Sequence, residues 1–341
     1  MDSLQRALCA INHQQPDRVP VIPQAHIWAS YNYGSSSDEL MYNGKRYAEI
    51  QVQAWEDFGW DGVFVATDSV ALAHSLGLEV LPTDLGVAPS PEGILHSLAD
   101  VARLELIDPR TTRLNEWIIA TRNLAETLGD RALIIARADQ GAFSLAAQLR
   151  GMQEFLLEVG YGTEEVQIHK LLTFCNDYIL QFAEHLLAAG AHVVTIGDAL
   201  ASGSLISPKT YARYAFPYHQ ALATAIRARG GRLSIHVCGK TTHVIGRLAE
   251  TGAHIVEFDA LTDFDTAWQA AQGKTCLLGN VDVPAVITFG TEQQVVEECR
   301  WRLEKVRQAN GGFILSSGCA ISPNAPAANL RAMVASAQEY G

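Results

Sequence analysis

The chain has 341 residues, 48% of them hydrophobic and 18% charged, a balance that supports a sizeable apolar core and excludes long disordered stretches. Acidic residues outnumber basic ones 37 to 25, for a net charge of −12, and no Lys/Arg-rich run reverses that sign locally. Such a surface repels phosphate backbones and anionic lipid, so neither nucleic acid nor membrane is an expected partner. The opening Met1-Asp-Ser-Leu-Gln-Arg6 lacks the basic-then-apolar pattern of a signal peptide, and no run of 18 apolar residues suits a bilayer; a soluble, cytoplasmic protein is expected.

In chain order, short β-branched runs alternate with amphipathic Ala/Leu/Glu/Arg-rich segments. The expected strands are Val19–Gln24, Gly62–Ala66, Ala132–Arg137, His192–Gly197, Leu233–Cys238, His254–Phe258, Cys276–Asn280 and Gly312–Ser316. Helices are expected near Gly44–Phe58, Glu164–Ala189, Pro208–Ala228, Thr241–Thr251, Thr291–Asn310 and Pro326–Glu339, and long loops at Tyr33–Asp38 and Pro82–Pro91. Eight parallel βα units are the number that closes a (β/α)8 TIM barrel, here expected as a single domain over residues 1–341. The rival, a doubly wound open sheet, usually carries a glycine-rich turn after its first strand. Val21-Ile-Pro-Gln-Ala-His-Ile-Trp28 contains no glycine.

Polar residues collect at the C-terminal ends of these strands: Gln24 and His26, Asp68, Asp139 and Gln140, Asp198, His236 and Cys238, Glu257 and Asp259, Asn280 and Asp282, then Cys319. In a barrel those ends face one cavity, where active sites are built. Loops starting there explain some of this polarity, but less easily two cysteines and a histidine. Cys9, Cys175 and Cys299 lie in helix-like patterns and Cys276 in a strand, where a thiol serves as a small apolar side chain. His192, His243 and His254 read as structural or surface histidines, and Asp17-Arg18 as an ion pair or cap.

Alternate residues of a strand point the same way, so His236 and Cys238 share a face and can hold one ion. Alone, the pair also fits ordinary core packing. Cys319, after a glycine turn at the end of the last strand, reaches the same end once the barrel closes, and imidazole plus two thiolates is a good zinc set.

These residues carry a resemblance. The chain resembles the uroporphyrinogen-decarboxylase-like superfamily, and within it the zinc-dependent methyltransferases that act on methylcobamides. The likeness runs through Pro16-Asp-Arg-Val-Pro20, Asp198-Ala-Leu-Ala-Ser-Gly-Ser-Leu-Ile-Ser-Pro208, Ile235-His-Val-Cys-Gly239, Gly279-Asn-Val-Asp282, Gly318-Cys-Ala-Ile-Ser-Pro323 and Asn329-Leu-Arg-Ala-Met333. The superfamily's (β/α)8 fold agrees with the strand count. The true decarboxylase carries an arginine-containing segment after its first strand that binds substrate carboxylates; Pro23-Gln-Ala-His-Ile-Trp28 has no arginine, which speaks against uroporphyrinogen as substrate.

The resemblance implies an enzyme that moves a methyl group between methylcobalamin on a separate corrinoid protein and a thiol or similar acceptor, tetrahydrofolate included. Zn2+ would be held by His236, Cys238, Cys319 and, by analogy with related zinc methyltransferases, Glu257, with Asp259 as its substitute. Asp198 is expected to orient the acceptor beside the catalytic Glu257, and Gln24, His26, Asp68, Gln140, Asn280 and Asp282 to line the cofactor cavity. The Asp-x-His-x-x-Gly cobalt-ligand signature is absent, so any corrinoid comes from the partner. Alternatives on the same scaffold are a lyase acting on a small acid and a non-catalytic zinc-containing partner protein; monomer and homodimer are both compatible.

Overall fold

Buried on both faces, parallel strands read as near-continuous apolar runs, and the runs expected from the sequence form such strands. The computed structural model describes residues 1–83 and 86–341, the side chains of Ser37 and Asp38 aside. In chain order the strands are β1 (Gly62–Val65), β2 (Val80–Thr83), β3 (Gly86–Pro89), β4 (Leu133–Gln140), β5 (Val193–Gly197), β6 (Leu233–Val237), β7 (Ile255–Phe258), β8 (Cys276–Val281) and β9 (Phe313–Ser317). A seven-stranded parallel sheet runs β1-β4-β5-β6-β7-β8-β9, with helices between successive strands; β2 and β3 form a separate antiparallel hairpin.

Seven of the eight expected strands are therefore present. The first, Val19–Gln24, is reduced to one bridge, Val21 to Leu315 in β9. Pro20 and Pro23 supply no N–H, so the segment cannot sustain a ladder. Its remaining donors find other partners: Ile22 N reaches the Leu315 carbonyl at 3.0 Å, Val21 N the Asp61 carboxylate at 2.7 Å and Gln24 N the Ser317 hydroxyl at 3.0 Å. Asp61, fully buried, also accepts from Arg6 (2.6 Å) and Arg18 (2.8 Å). Arg18 is thus paired with Asp61, while Asp17 pairs with Arg6 and the chain's amino terminus.

Two further expectations change. The Pro82–Pro91 stretch is not a plain loop but holds most of the β2–β3 hairpin. The helix expected over Pro208–Ala228 is two, Pro208–Tyr214 and Phe216–Ala228, because Pro217 can stand in the first turn of a new helix but not inside a continuous one.

The inner face of the sheet is layered. Ile22, Phe64, Leu133, Ile135, Val193, Ile255, Cys276, Leu278 and Ile314 form an apolar floor sealed from below by Ala7, Ala10 and Ile11 of the helix Ser3–Ile11. The larger apolar core lies between the sheet and its outer helices. Two residues beyond the floor on β4, β5, β7, β8 and β9, the same inward parity brings Arg137, Thr195, Glu257, Asn280 and Ser316 toward the C-terminal rim. No described helix is long and apolar enough to cross a membrane.

Candidate metal centre

On β6, Ser234, His236 and Cys238 step along one inward face. Cys319 arrives from the β9 exit, where Gly318 lets the backbones approach: a Cβ there would lie 2.8 Å from Ala260 N. His236 Nε2 stands 2.8 Å from Cys238 Sγ and 3.7 Å from Cys319 Sγ, and the two sulfurs are 3.7 Å apart. All three ligand atoms lie within 4.8 Å of one another.

A tetrahedral zinc with ordinary bond lengths would separate two sulfurs by roughly 3.8 Å and sulfur from nitrogen by roughly 3.5 Å. Two of the three separations already match; the short Cys238–His236 contact is a hydrogen bond that an ion would open. The electrostatics point the same way. Cys319 is held well below the usual thiol range, first by the Cys238 S–H and then by His236, against the effect of burial. Cys238 is driven up by facing that thiolate, by burial and by the nearby Asp259 carboxylate. One thiolate is favoured and the second opposed, so a cation is what would let both ionise. Burial works to lower the His236 pKa, but the Cys319 thiolate and Glu257 outweigh it and the net shift is upward.

Glu257, expected as the fourth ligand, does not join this set. Its register partner is His236, so it lies at the height of the imidazole, while the sulfurs lie further along the strand direction. Glu257 Oε1 accepts from the Thr195 and Ser234 hydroxyls at 2.5 and 2.6 Å, and Oε2 stands 3.6 Å from His236 Nδ1, the nitrogen facing away from the thiols. That is the place of a carboxylate that orients a metal-bound imidazole. Asp259, two residues on, accepts from Leu261 N at 2.9 Å, and its charge reaches Cys238.

Asp198 also departs from its expected role. It is fully buried, Oδ1 accepting from Ser144 N (2.8 Å) and Ser144 Oγ (2.6 Å), Oδ2 facing His219 Nε2 at 2.9 Å. It thereby anchors the first turn of the helix Ala142–Arg150 and has no surface for a substrate. Among the expected cavity residues, Asp68 is held in a two-pronged pair by Arg113 at 2.7 and 2.9 Å. Asn280 is fixed by Arg302 at 2.8 Å, and Asp282 caps the helical turn Val283–Thr288. Gln24, His26 and Gln140 differ: each is buried and keeps one polar atom (Nε2, Nδ1 and Oε1 respectively) without a partner. His26 also feels the charges of Arg137, Cys319 and His236; burial first, then Arg137, lowers its pKa to about 3, so it stands neutral beside the thiols.

The sequence reading passed over Thr195, Ser234 and Arg137. Inward parity with His236 on β6 signals Ser234, and inward parity with Leu133 and Ile135 on β4 signals Arg137; Thr195 carries no sign of its role until its neighbours are known. His192 and His254, read as structural, are so: each accepts a backbone N–H near the start of a strand, Ile134 N at 3.0 Å and Leu233 N at 3.3 Å.

Fold and site together define a parallel β/α protein with a sulfur- and imidazole-lined metal-type centre at the C-terminal rim of its sheet. The family model described as uroporphyrinogen decarboxylase (URO-D) matches residues 2–340, and the chain belongs to that family. It is similar to the methylcobamide:CoM methyltransferase MtbA of Methanosarcina acetivorans, 27% identical over 98% of this chain and 97% of the relative. The uroporphyrinogen decarboxylase of Nostoc punctiforme is likewise 27% identical, over 85% of this chain and 81% of the relative. Among solved structures, a methyltransferase from Methanosarcina mazei superposes with a TM-score of 0.87 over 100% of this chain and 99% of its own; at 20% identity this likeness speaks to fold.

Proposed function

We propose that this chain is a zinc-dependent methyltransferase that moves a methyl group between a corrinoid carried by a partner protein and a thiol or similar small acceptor. The observation that carries the reading is the convergence of His236 Nε2, Cys238 Sγ and Cys319 Sγ at the rim. Similarity to methylcobamide:CoM methyltransferases supports the reaction class. The scaffold is read as a (β/α)8-type barrel in which the bridged segment 19–24 takes the place of the first strand. A cytoplasmic setting, where thiols stay reduced, suits a site built on free cysteines.

Bound zinc would supply the positive charge that keeps an acceptor sulfur deprotonated at neutral pH. The chain's own residues do the rest. His236, Cys238 and Cys319 would hold the ion, and their two thiolates would supply it with negative charge. Glu257, oriented by Thr195 and Ser234, faces the otherwise unpartnered His236 Nδ1 at 3.6 Å and, closing on its N–H, would hold the ring with Nε2 toward the ion. Asp259, whose charge reaches Cys238, is the carboxylate that would complete the ligand set in the absence of an acceptor. The apolar floor closes the site from below, leaving the rim as the side from which acceptor and corrinoid partner approach.

Zinc content and X-ray absorption of the purified protein, with and without candidate thiols and beside Cys238→Ser, test the reading. Near one zinc per chain, lost in the variant and gaining a sulfur ligand with thiol, is expected. Absence of zinc, or equal binding by the variant, overturns it; zinc indifferent to every thiol removes the thiol acceptor and turns the search to a reduced folate.

A further inference from the structure

Arg137 is the one arginine or lysine on any described strand. It shares the inward face of β4 with Leu133 and Ile135 of the floor, one layer above them. Past it the pairing with β5 shifts: Arg137 pairs with Thr195 and Gln140 with Gly197, three steps against two, and the extra residue, Asp139, takes a left-handed backbone (φ 62°). Such a bulge re-aims side chains at a strand end. Here it turns Asp139 toward Leu72 N (2.7 Å) and presents its own carbonyl to Arg137 Nε at 3.1 Å, fixing the base of the guanidinium.

The rest of the guanidinium has been given space and no partner. It lies over Gly197, where an added Cβ would come within 1.9 Å of Nη2. Among the described residues no carboxylate pairs with Arg137. Gly197 is the register partner of His236, so the guanidinium over it stands beside the metal centre. Buried close by, neutral His26 keeps its Nδ1 without a partner. A half-buried guanidinium without a carboxylate partner, next to an orphaned imidazole nitrogen, is the arrangement that an anion would satisfy.

We propose that Arg137 is the specificity-determining residue of the acceptor site, its Nη edge binding the carboxylate of a short acceptor whose other end reaches the metal. This rests on the metal-centre reading above. The planar guanidinium suits a carboxylate, with two parallel N–H donors for two oxygens. Gly197 is then a glycine because the guanidinium occupies the space of a side chain.

The test measures binding to the zinc-loaded full chain by titration calorimetry. The probes are 3-mercaptopropionate and its neutral amide, with propionate and propionamide as sulfur-free counterparts. The wild type is expected to prefer each acid to its amide by about tenfold or more, the usual scale of a charge-assisted hydrogen bond. Arg137→Met should bring the ratio near one while leaving amide affinity within about twofold; Arg137→Lys should keep part of the preference. Gly197→Ala, which displaces the guanidinium without removing it, should weaken the acids selectively, and with Arg137→Lys it decides the matter if Arg137→Met fails to fold. Equal binding of acid and amide by the wild type, no binding of either acid, or a preference that survives Arg137→Met overturns the proposal. If 3-mercaptopropionate binds no better than propionate while both depend on Arg137, the anion site stands and the thiol-binding metal reading falls.

Discussion

Replacing Glu257 by glutamine separates a carboxylate that orients a ligand from one that is itself a ligand. The Thr195 and Ser234 hydroxyls both donate to Oε1, at 2.5 and 2.6 Å, and will hold a glutamine with its carbonyl oxygen in that place. The amide NH2 then takes the position of Oε2, 3.6 Å from His236 Nδ1. When Nε2 binds a metal, Nδ1 carries the proton, so in Glu257→Gln a donor faces a donor where an acceptor stood. Loss of such outer support typically costs 10- to 100-fold in metal affinity, about 1.4 to 2.7 kcal/mol. Competition with a chromophoric chelator near neutral pH, on wild type, Glu257→Gln, Glu257→Ala and Cys238→Ser, reads the difference directly. Glu257→Gln should retain stoichiometric zinc at reduced affinity, whereas Cys238→Ser should retain none. The orienting role is refuted if Glu257→Gln binds as tightly as wild type, or if it fails as completely as Cys238→Ser, which would make Glu257 a ligand.

Asp139 carries a pH signature. Burial, then the neighbouring Asp68, raises its pKa to about 7. In the unfolded chain the same carboxyl ionises near pH 4, so between roughly pH 4 and 7 the unfolded state sheds a proton that the folded state keeps. Stability should fall as pH rises through that window and level off above it, by up to about 4 kcal/mol. Asparagine tolerates the left-handed backbone at this position and keeps an acceptor for Leu72 N, so Asp139→Asn should flatten the slope in urea midpoints measured at pH 4.5 and 7.5. An unchanged slope would remove Asp139 as its source. Asp198→Asn, in turn, should cost about 1–3 kcal/mol of stability through the weakened Ser144 and His219 contacts while leaving zinc affinity unchanged; selective loss of acceptor binding without destabilisation would return Asp198 to the catalytic role expected from sequence.

How much of this was legible in the sequence depends on which physical constraint set each feature. Seven parallel strands were readable because burial on both faces demands unbroken apolar runs. The first strand failed on its own prolines, a signal that was present and underweighted. The β2–β3 hairpin is short and only partly buried, so no periodicity announces it. The zinc-type set was visible because two of its members share a strand face and the third follows a glycine at a strand end. Glu257 was given the right face but the wrong height: which strand neighbour lies level with which is a matter of register, and register places it beside the imidazole, short of the sulfurs. Arg137 was hidden for a related reason. In Leu133-Ile-Ile-Ala-Arg-Ala-Asp139 it looks like the polar end of a strand, and only the bulge past Arg137 and the missing side chain at Gly197 turn it into a feature of the site.

The position of that arginine also bears on which family chemistry this chain can support. The stretch Pro23–Trp28, where the decarboxylase pattern places arginine, supplies Gln24 and His26, and His26, with its pKa lowered to about 3, carries no charge near neutral pH. The buried arginines Arg113 and Arg302 are paired with Asp68 and Glu298. Among the described residues, the inner face therefore offers one guanidinium without a carboxylate partner besides the metal set. Each carboxylate drawn into such a site without a partner costs several kcal/mol, and the acidic balance of the protein adds repulsion from outside. A porphyrinogen bearing many carboxylates would leave most of them unpaired, whereas a small acceptor with one anionic end and one metal-binding end would leave none. On charge count alone, the site suits a small acceptor with one anionic end better than a large polyanion, although methyltransferases and decarboxylases both stand among relatives at the same 27% identity.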